Sequence, residues 1–280
     1  MIKEKINFHT HTIFCDGNNT VDEMVLSAIE KGFTALGFSG HSMFPFASDW
    51  HIAPREHLNY VNAVRAAAEK YRDEIKIFLG FEADFIPSIC VPHKDNFKDF
   101  NPDFLIGSVH YLVNNKGNCS VDDKTENVKI GLETVYENDA KRFVCDYFEM
   151  QRQMLKQGNF EIWGHPDLVR KRNGILQFFS EKEDWYKEQL KETVKVAAKT
   201  NVVAEINSGA IARGAMDDFY PSEYFLTLLY EAGIPVCINS DCHNAEDLDC
   251  AFDRAVIQAK KIGYKELIYP AAGSEIKIDL

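Results

Sequence analysis

The sequence predicts an α/β protein folded as a parallel barrel of seven strand–helix units, one unit short of the common eightfold TIM barrel. Short apolar segments alternate with amphipathic helical segments along all 280 residues. Strands joined by helical crossovers run parallel, with right-handed connections. Histidines and carboxylates follow nearly every apolar segment. A closed barrel collects such strand ends at one mouth. An open doubly wound sheet, the competing fold, would spread them along an edge.

Seven runs of apolar and β-branched residues are the predicted strands. They span 5–9, 35–40, 76–82, 104–109, 160–164, 202–207 and 235–240.

Helical patterns fill the segments between these strands. The first predicted helix begins with the capping-box spacing of Thr20 and Glu23 and stops before Gly32. The other predicted helices span 54–71, 124–157, 181–200, 222–231 and 246–262. The continuous helix over 124–157 makes the crossover at about 111–160 unusually long, so it can cover the barrel mouth. Residues 1–280 read as one domain, since no repeat or linker divides them.

Bulk composition excludes several classes of protein. The net charge of −12 argues against a nucleic-acid partner but permits a small phosphorylated ligand held by a few local cations. No apolar stretch is long enough to cross a bilayer, and no signal peptide is visible. Seven cysteines without a CxxC pair indicate reduced thiols. We therefore expect a cytoplasmic protein with no membrane partner.

Six of the nine histidines lie at the ends of predicted strands: His9, His11, His41, His110, His165 and His243. Strand ends make up roughly a tenth of a barrel chain, so chance would place about one histidine there. Glu82 and Asp241 occupy equivalent positions, and Asp16 lies in the turn after the first strand. Imidazole and carboxylate groups at this density predict a multi-metal site.

Each of these residues also has an ordinary structural explanation. A strand-end histidine can be a hydrogen-bonded core residue, Glu82 can form a salt bridge, and Asp16 can simply form a turn. The pairs His9/His11 and Asp241/His243 favour the metal interpretation, because alternate residues of a strand share a side. His51, His57 and His93 follow no apolar run, so we interpret them as surface residues, with His51 near the mouth.

Together these residues resemble the polymerase and histidinol phosphatase (PHP) family. The matching pieces are His9-Thr-His11 with Asp16-Gly17, Gly40-His41, Glu82, His110, Gly164-His165 and Ser240-Asp241-Cys-His243. Segments 81–85, 164–170 and 205–209 are most similar to the stand-alone histidinol-phosphate phosphatases of that family.

The resemblance implies a distorted (β/α)7 barrel and three divalent metal ions, which can be zinc, iron or manganese. By similarity, the first metal is held by His9, His11, Glu82 and Asp241. Glu82 bridges to the second, which His110 and His165 complete. Asp16, His41 and His243 hold the third.

Such a centre predicts hydrolysis of a phosphomonoester by a hydroxide shared between metals and held through Glu82, His110 and His165. Arg213 follows the sixth strand, and Arg170, Lys171 and Arg172 follow the fifth, where they are either phosphate ligands or a solvated turn. Our candidate substrate-binding residues are Arg213, Arg170, Arg172, Asn207 and Asp84. Asp49 and the loop 42–51 are candidates for contacts with the leaving group.

Residue chemistry indicates a phosphoester, and the resemblance selects L-histidinol phosphate, an intermediate of histidine biosynthesis. Two alternatives remain open: a related phosphoesterase acting on nucleotides or oligonucleotide ends, and a non-catalytic metal-binding subunit.

Overall fold

The computed structural model describes residues 4–280, which form a nearly closed parallel barrel of seven strands surrounded by helices, as predicted. The strands follow one another around the barrel in chain order, and every neighbouring pair is parallel. They are β1 (Lys5–Asn7), β2 (Phe33–Phe38), β3 (Lys76–Asp84), β4 (Phe104–Ser108), β5 (Ile162–Trp163), β6 (Val203–Asn207) and β7 (Val236–Asn239). A two-residue strand, His41–Ser42, also pairs with β3.

The first and last strands meet through a mixture of backbone and side-chain hydrogen bonds. The amide of Phe8 donates to Oδ1 of Asn239 at 2.8 Å. Past the ends of the two strands, Thr10 and Cys242 form an isolated parallel bridge. The amide of His11 donates to the Cys242 carbonyl there at 3.0 Å. Polar asparagine side chains thus complete a junction that regular β-ladder bonds complete elsewhere in the barrel.

In the described part of the chain, seven helices of nine or more residues pack outside the barrel: α1 (Val21–Glu30), α2 (His57–Lys70), α3 (Thr125–Thr134), α4 (Ala140–Gln157), α5 (Asp184–Ala197), α6 (Glu223–Glu231) and α7 (Phe252–Ile262). The capping box of α1 is confirmed, since Thr20 and Glu23 each accept a hydrogen bond from the other's amide. Shorter helical turns lie at Pro54–Glu56, Lys94–Phe97, Lys98–Phe100, Leu168–Arg170, Asn173–Leu176, Gly209–Ala212 and Ala245–Asp247. Within residues 4–280, each helix falls short of the length or the apolar character that crossing a membrane requires.

The continuous helix predicted over 124–157 is wrong. The chain breaks it between α3 and α4, where Glu137 and Asn138 adopt left-handed φ values of 52° and 64°. Asp139 then caps α4 by accepting a hydrogen bond from the Arg142 amide at 2.9 Å. Asparagine and aspartate favour such turns and caps over helix interiors, which explains the break.

Two antiparallel hairpins were not predicted. The hairpin of Tyr111–Asn114 and Gly117–Ser120 follows β4 at the barrel mouth. The hairpin of Glu266–Ala271 and Ser274–Asp279 packs against β7. There the Tyr269 hydroxyl donates to the Ile238 carbonyl at 2.9 Å and accepts from the Ile238 amide at 3.1 Å, which ties the hairpin to β7.

An aromatic cluster fills the barrel interior below the mouth. Phe104 stacks on Phe8 with ring centroids 4.8 Å apart. Gly37 and Gly80 face the Phe104 ring, and a Cβ built on either would lie within 2.9 Å of it. The absence of side chains at these two strand positions makes room for the ring.

We expect Gly80→Ala to destabilise the barrel. Its Cβ would lie 2.4 Å from Phe104 Cζ, and overpacking of a filled core costs about 1–3 kcal/mol of unfolding free energy. Urea unfolding followed by circular dichroism measures this. Gly174→Ala is the matched control, because a Cβ there meets nothing within 4 Å. Equal stability of the two variants would contradict the packing argument.

Candidate metal centre

The structure brings the nine predicted ligand residues together at the carboxyl ends of the strands. His9 and His11 follow β1, His41 follows β2, Glu82 lies near the end of β3, and His110 and His165 follow β4 and β5. Asp241 and His243 follow β7, beside the turn that carries Asp16. Parallel topology explains the convergence, since every strand of such a barrel ends at the same mouth.

Glu82 lies at the centre of this cluster and is surrounded by imidazoles. Its Oε2 is 2.9 Å from His9 Nε2, 2.9 Å from His41 Nδ1 and 3.5 Å from His11 Nε2. Its Oε1 is 2.8 Å from His165 Nε2 and 3.3 Å from His110 Nε2.

Several buried nitrogen and oxygen atoms of the cluster that could bind a metal lack a hydrogen-bond partner within residues 4–280. They include Nε2 of His9, Nε2 of His11, Nδ1 of His41 and Oε2 of Glu82. Leaving a buried polar atom unsatisfied costs about 1–3 kcal/mol. These atoms converge instead of pointing apart, so divalent cations between them would satisfy their lone pairs. The donor set therefore fits metal ions.

The convergent atoms fall into groups of metal-binding size, within each of which the donor atoms lie within 4.8 Å of one another. The groups are His9/His11/Asp241, His9/Glu82/His165, His41/Glu82/His110 and His11/Asp16/His41/His243. Imidazole and carboxylate ligands suit zinc, iron and manganese. The groups overlap, and two of them contain Glu82, so the cluster can hold divalent metal ions.

Electrostatics keep Glu82 and His11 in the forms that coordinate a cation, whereas burial would lower the pKa values of His9, His41 and His110 but neighbouring carboxylates raise them. Burial alone would raise the pKa of Glu82, but the imidazoles of His9 and His41, with His110, hold that pKa well below its ordinary value. Burial, together with His41 and His243, holds the pKa of His11 well below its ordinary value. An ionised carboxylate and a neutral imidazole are the forms that coordinate a cation.

A buried carboxylate that sequence reasoning did not assign to the site supports it from behind. Glu205, on β6, lies 2.9 Å from His9 Nδ1 and accepts the His165 amide at 2.7 Å. The side-chain amides of Asn207 and Asn239 donate to the same carboxylate at 2.8 and 3.0 Å. Such contacts fix the ring orientation of a ligating histidine. In the sequence, the position of Glu205 inside an otherwise apolar strand is the signal that indicates this role.

Asp84 performs the equivalent role for His110. Its carboxylate accepts from His110 Nδ1 and also contacts His51 Nε2. Although burial would raise it, these two imidazoles lower the pKa of Asp84 to about 2. We had expected Asp84 to bind substrate; the structure places it between two histidines.

The surface assignment of His51 and His57 is wrong, because both are buried. The loop 43–53 folds back over the mouth and brings His51 onto Asp84. His57 Nε2 lies 2.8 Å from Ser42 Oγ, behind the strand that carries His41. His93, by contrast, is partly exposed and caps a short helix through Nδ1.

Two of the cluster residues have strained backbones. His165 has a φ of 23° and Asp241 a φ of 50°, both in the left-handed region that side chains other than glycine avoid. Such strain persists where surrounding contacts enforce it, and it concentrates at functional sites.

Of the predicted phosphate-binding residues, Arg213 reaches the site. Its guanidinium lies 2.9 Å from Asp241 Oδ2 and 3.0 Å from His243 Nδ1. Asn207 lies beside it, and its side-chain amide donates to Asp241 at 3.3 Å as well as to Glu205. Burial would lower the pKa of Arg213, but Asp241 raises it above its ordinary value, so the group stays charged.

Of the three basic residues after β5, we expected Arg170 and Arg172 to bind substrate, but Lys171 is the one that lines the cavity. Arg170 is buried and binds Glu181, Asp218 and the Phe219 carbonyl. Arg172 donates to the backbone carbonyls of the loop at 122–123. Lys171, which we had not selected, lines the site cavity with Nζ 2.8 Å from Asp122.

The cluster opens into a cavity of about 540 Å³. His41, His110, His165 and His243 border its floor, while Arg213 and Lys171 supply positive charge. The volume suits a small molecule, and the charges favour an anionic group next to the cluster.

Comparisons with known proteins find matches in both sequence and fold. The model of the PHP domain family matches residues 7–209. A probable histidinol-phosphatase of Schizosaccharomyces pombe is 25% identical over 279 residues, covering 94% of this chain and 88% of its own.

Two solved structures share the fold. The putative histidinol phosphatase of Listeria monocytogenes has a TM-score of 0.77 at 23% identity, covering 89% of this chain and 99% of its own. The histidinol phosphate phosphatase of Lactococcus lactis, solved with zinc, L-histidinol and phosphate, has a TM-score of 0.71 at 21% identity, covering 99% of both chains.

We expect Glu82→Gln to lose metal, because the amide keeps the shape of Glu82 but removes the central negative charge. A metal ion at a free concentration about 100–1,000 times its Kd raises the free energy of unfolding by about 3–4 kcal/mol. Elemental analysis and thermal unfolding with and without Mn²⁺ or Zn²⁺ measure both effects. His93→Asn is the control, since that histidine lies outside the cluster. Wild-type metal content and stabilisation in Glu82→Gln would refute the central role of Glu82.

Proposed function

The chain belongs to the PHP family, and on that premise we propose that it hydrolyses L-histidinol phosphate to L-histidinol and phosphate, a step of histidine biosynthesis. The observation that carries the proposal is the histidine–carboxylate cluster around Glu82, which opens into a cavity beside Arg213 and Lys171. Two relatives similar along nearly the whole chain carry the name probable histidinol-phosphatase, and the Lactococcus lactis protein of the same fold was solved with L-histidinol and phosphate.

We assign the cluster to three divalent metal ions, of zinc, iron or manganese. His9, His11, Glu82 and Asp241 would hold one, Glu82 with His110 and His165 a second, and Asp16, His41 and His243 a third. When bound, such metals make water nucleophilic at neutral pH and stabilise negative charge on phosphoryl oxygens.

The protein's own cations bind the phosphate. Arg213, after β6, can contact two phosphoryl oxygens through its planar fork, and Lys171, after the neighbouring strand β5, supplies a second charge. Asp241 and Asp122 hold these cations in place at 2.9 and 2.8 Å. In the reaction, a water oxygen bonds to phosphorus, the bond from phosphorus to the ester oxygen breaks, and a proton from the water passes to the departing alkoxide.

The carboxylates behind the cluster preserve its geometry through the reaction. Glu205 orients His9, and Asp84 orients His110. All four side chains are buried, so they contribute little reorganisation when charge moves. We also propose that the enzyme works in the cytoplasm, in line with the seven free cysteine thiols.

Phosphate release from a panel of monoesters tests the function. We expect purified, metal-loaded protein to hydrolyse L-histidinol phosphate at least tenfold more efficiently than nucleoside monophosphates or a 3′-phosphorylated oligonucleotide. Elemental analysis of the same preparation provides the control for metal content. Preference for the nucleotide substrates would overturn the proposal in favour of a nucleotide phosphoesterase. Full metal content with no turnover would indicate a non-catalytic subunit.

We expect Arg213→Ala and Lys171→Ala each to raise KM for the phosphoester. A hydrogen bond to a charged group contributes about 1.5–3 kcal/mol, which corresponds to a loss of roughly 10- to 150-fold in kcat/KM. Steady-state kinetics at fixed metal content measures it. Arg55→Gln is the control, since that side chain is 88% exposed. Unchanged KM with reduced metal content in Arg213→Ala would show that Arg213 supports Asp241 and does not bind phosphate.

A further inference from the structure

Aromatic and acidic residues also line the cavity, in addition to the cations assigned to the phosphate. Trp50 and Tyr111 are the aromatic ones, and the exposed Asp49 precedes Trp50 in the chain. Neither aromatic residue belongs to the metal cluster or to the phosphate contacts described above.

Trp50 is in direct contact with the cluster. Its ring meets the His41 ring edge to face at a centroid distance of 4.6 Å and the His110 ring at 5.3 Å. Those two histidines border the floor of the cavity. An alcohol departing from a phosphate bound over the cluster therefore lies within reach of the indole.

Other contacts hold the indole in this position. Trp50 Nε1 donates to the Tyr111 hydroxyl at 2.7 Å, and the two rings lie 26° from parallel with centroids 5.8 Å apart. The neighbouring His51 packs on Trp50 at 3.8 Å and is itself anchored by Asp84. The aromatic surface is thus formed before any ligand arrives, which lowers the entropic cost of binding.

Charge differs between these two parts of the lining. Arg213 and Lys171 carry positive charge into the cavity and are held by Asp241 and Asp122. Asp49, the chain neighbour of Trp50, adds a negative charge to the lining. An aromatic face flanked by a carboxylate attracts a cation, through the ring quadrupole and through Coulomb attraction.

We propose that Trp50 and Asp49 form a leaving-group subsite that selects phosphomonoesters whose alcohol carries a positive charge, with Tyr111 as a positioning residue for Trp50. This inference rests on the proposed phosphatase function of the same site. An ammonium or imidazolium group on the alcohol binds over the indole, and a neutral alcohol gains no such contact.

The test compares cationic with neutral substrates in matched variants. kcat/KM is measured for L-histidinol phosphate, phosphoethanolamine and glycerol phosphate with wild type, Trp50→Leu, Asp49→Asn and Asp73→Asn. Asp73 is the control because its side chain is 93% exposed and lies in the turn before β3, at the end of the barrel away from the mouth. Competitive inhibition by L-histidinol reports directly on leaving-group binding.

We expect Trp50→Leu to lower the ratio of cationic to neutral kcat/KM by about tenfold, the size of one partly desolvated cation–π contact. Asp49→Asn should lower it by about threefold and weaken inhibition by L-histidinol, while Asp73→Asn leaves both unchanged. Glycerol phosphate turnover in each variant corrects for any disturbance of the neighbouring histidines.

The inference is overturned if Trp50→Leu and Asp49→Asn leave that ratio unchanged, or if wild type shows no preference for the cationic esters. A wild-type enzyme that fails on L-histidinol phosphate but prefers phosphoethanolamine over glycerol phosphate, through Trp50, would refute the proposed substrate and support the subsite.

Discussion

A single ionised carboxylate, buried among imidazoles, is the constraint on which the rest of the site depends. Glu82 is almost fully enclosed, and five histidine rings contact its two oxygens. A buried charge is tolerated only where positive charge surrounds it. The metals assigned to the cluster would supply that positive charge, with the strand-end imidazoles as their neutral ligands.

The barrel and its supporting residues keep that arrangement rigid. Six of the seven parallel strands deliver ligands from different parts of the chain to one mouth. Glu205 and Asp84 then fix individual rings from behind. Phe104 packs against Gly37 and Gly80 and fills the barrel beneath the cluster. Chemistry at the mouth thus depends on packing several residues deeper.

The ligand set could be predicted from the sequence because its signal is local. An apolar run followed by histidine specifies both a strand and the end at which the side chain lies, as at His110 and His165. The positions of His51 and Lys171 depend on tertiary contacts instead. His51 is buried because a long loop folds back onto Asp84, and the 3₁₀ turn at Leu168–Arg170 decides which basic side chain faces the cavity. No pattern within those segments encodes either direction.

The junction between the first and last strands carries a consequence for assembly. Asn239 supplies one of its hydrogen bonds through a side chain, and His9/His11 face Asp241/His243 across it. A cation held by both pairs would link the first and last strands at the junction with the least regular hydrogen bonding. Metal binding and closure of the barrel are then thermodynamically linked. Removal of the metals would therefore destabilise this junction before the strand pairs on the other side of the barrel.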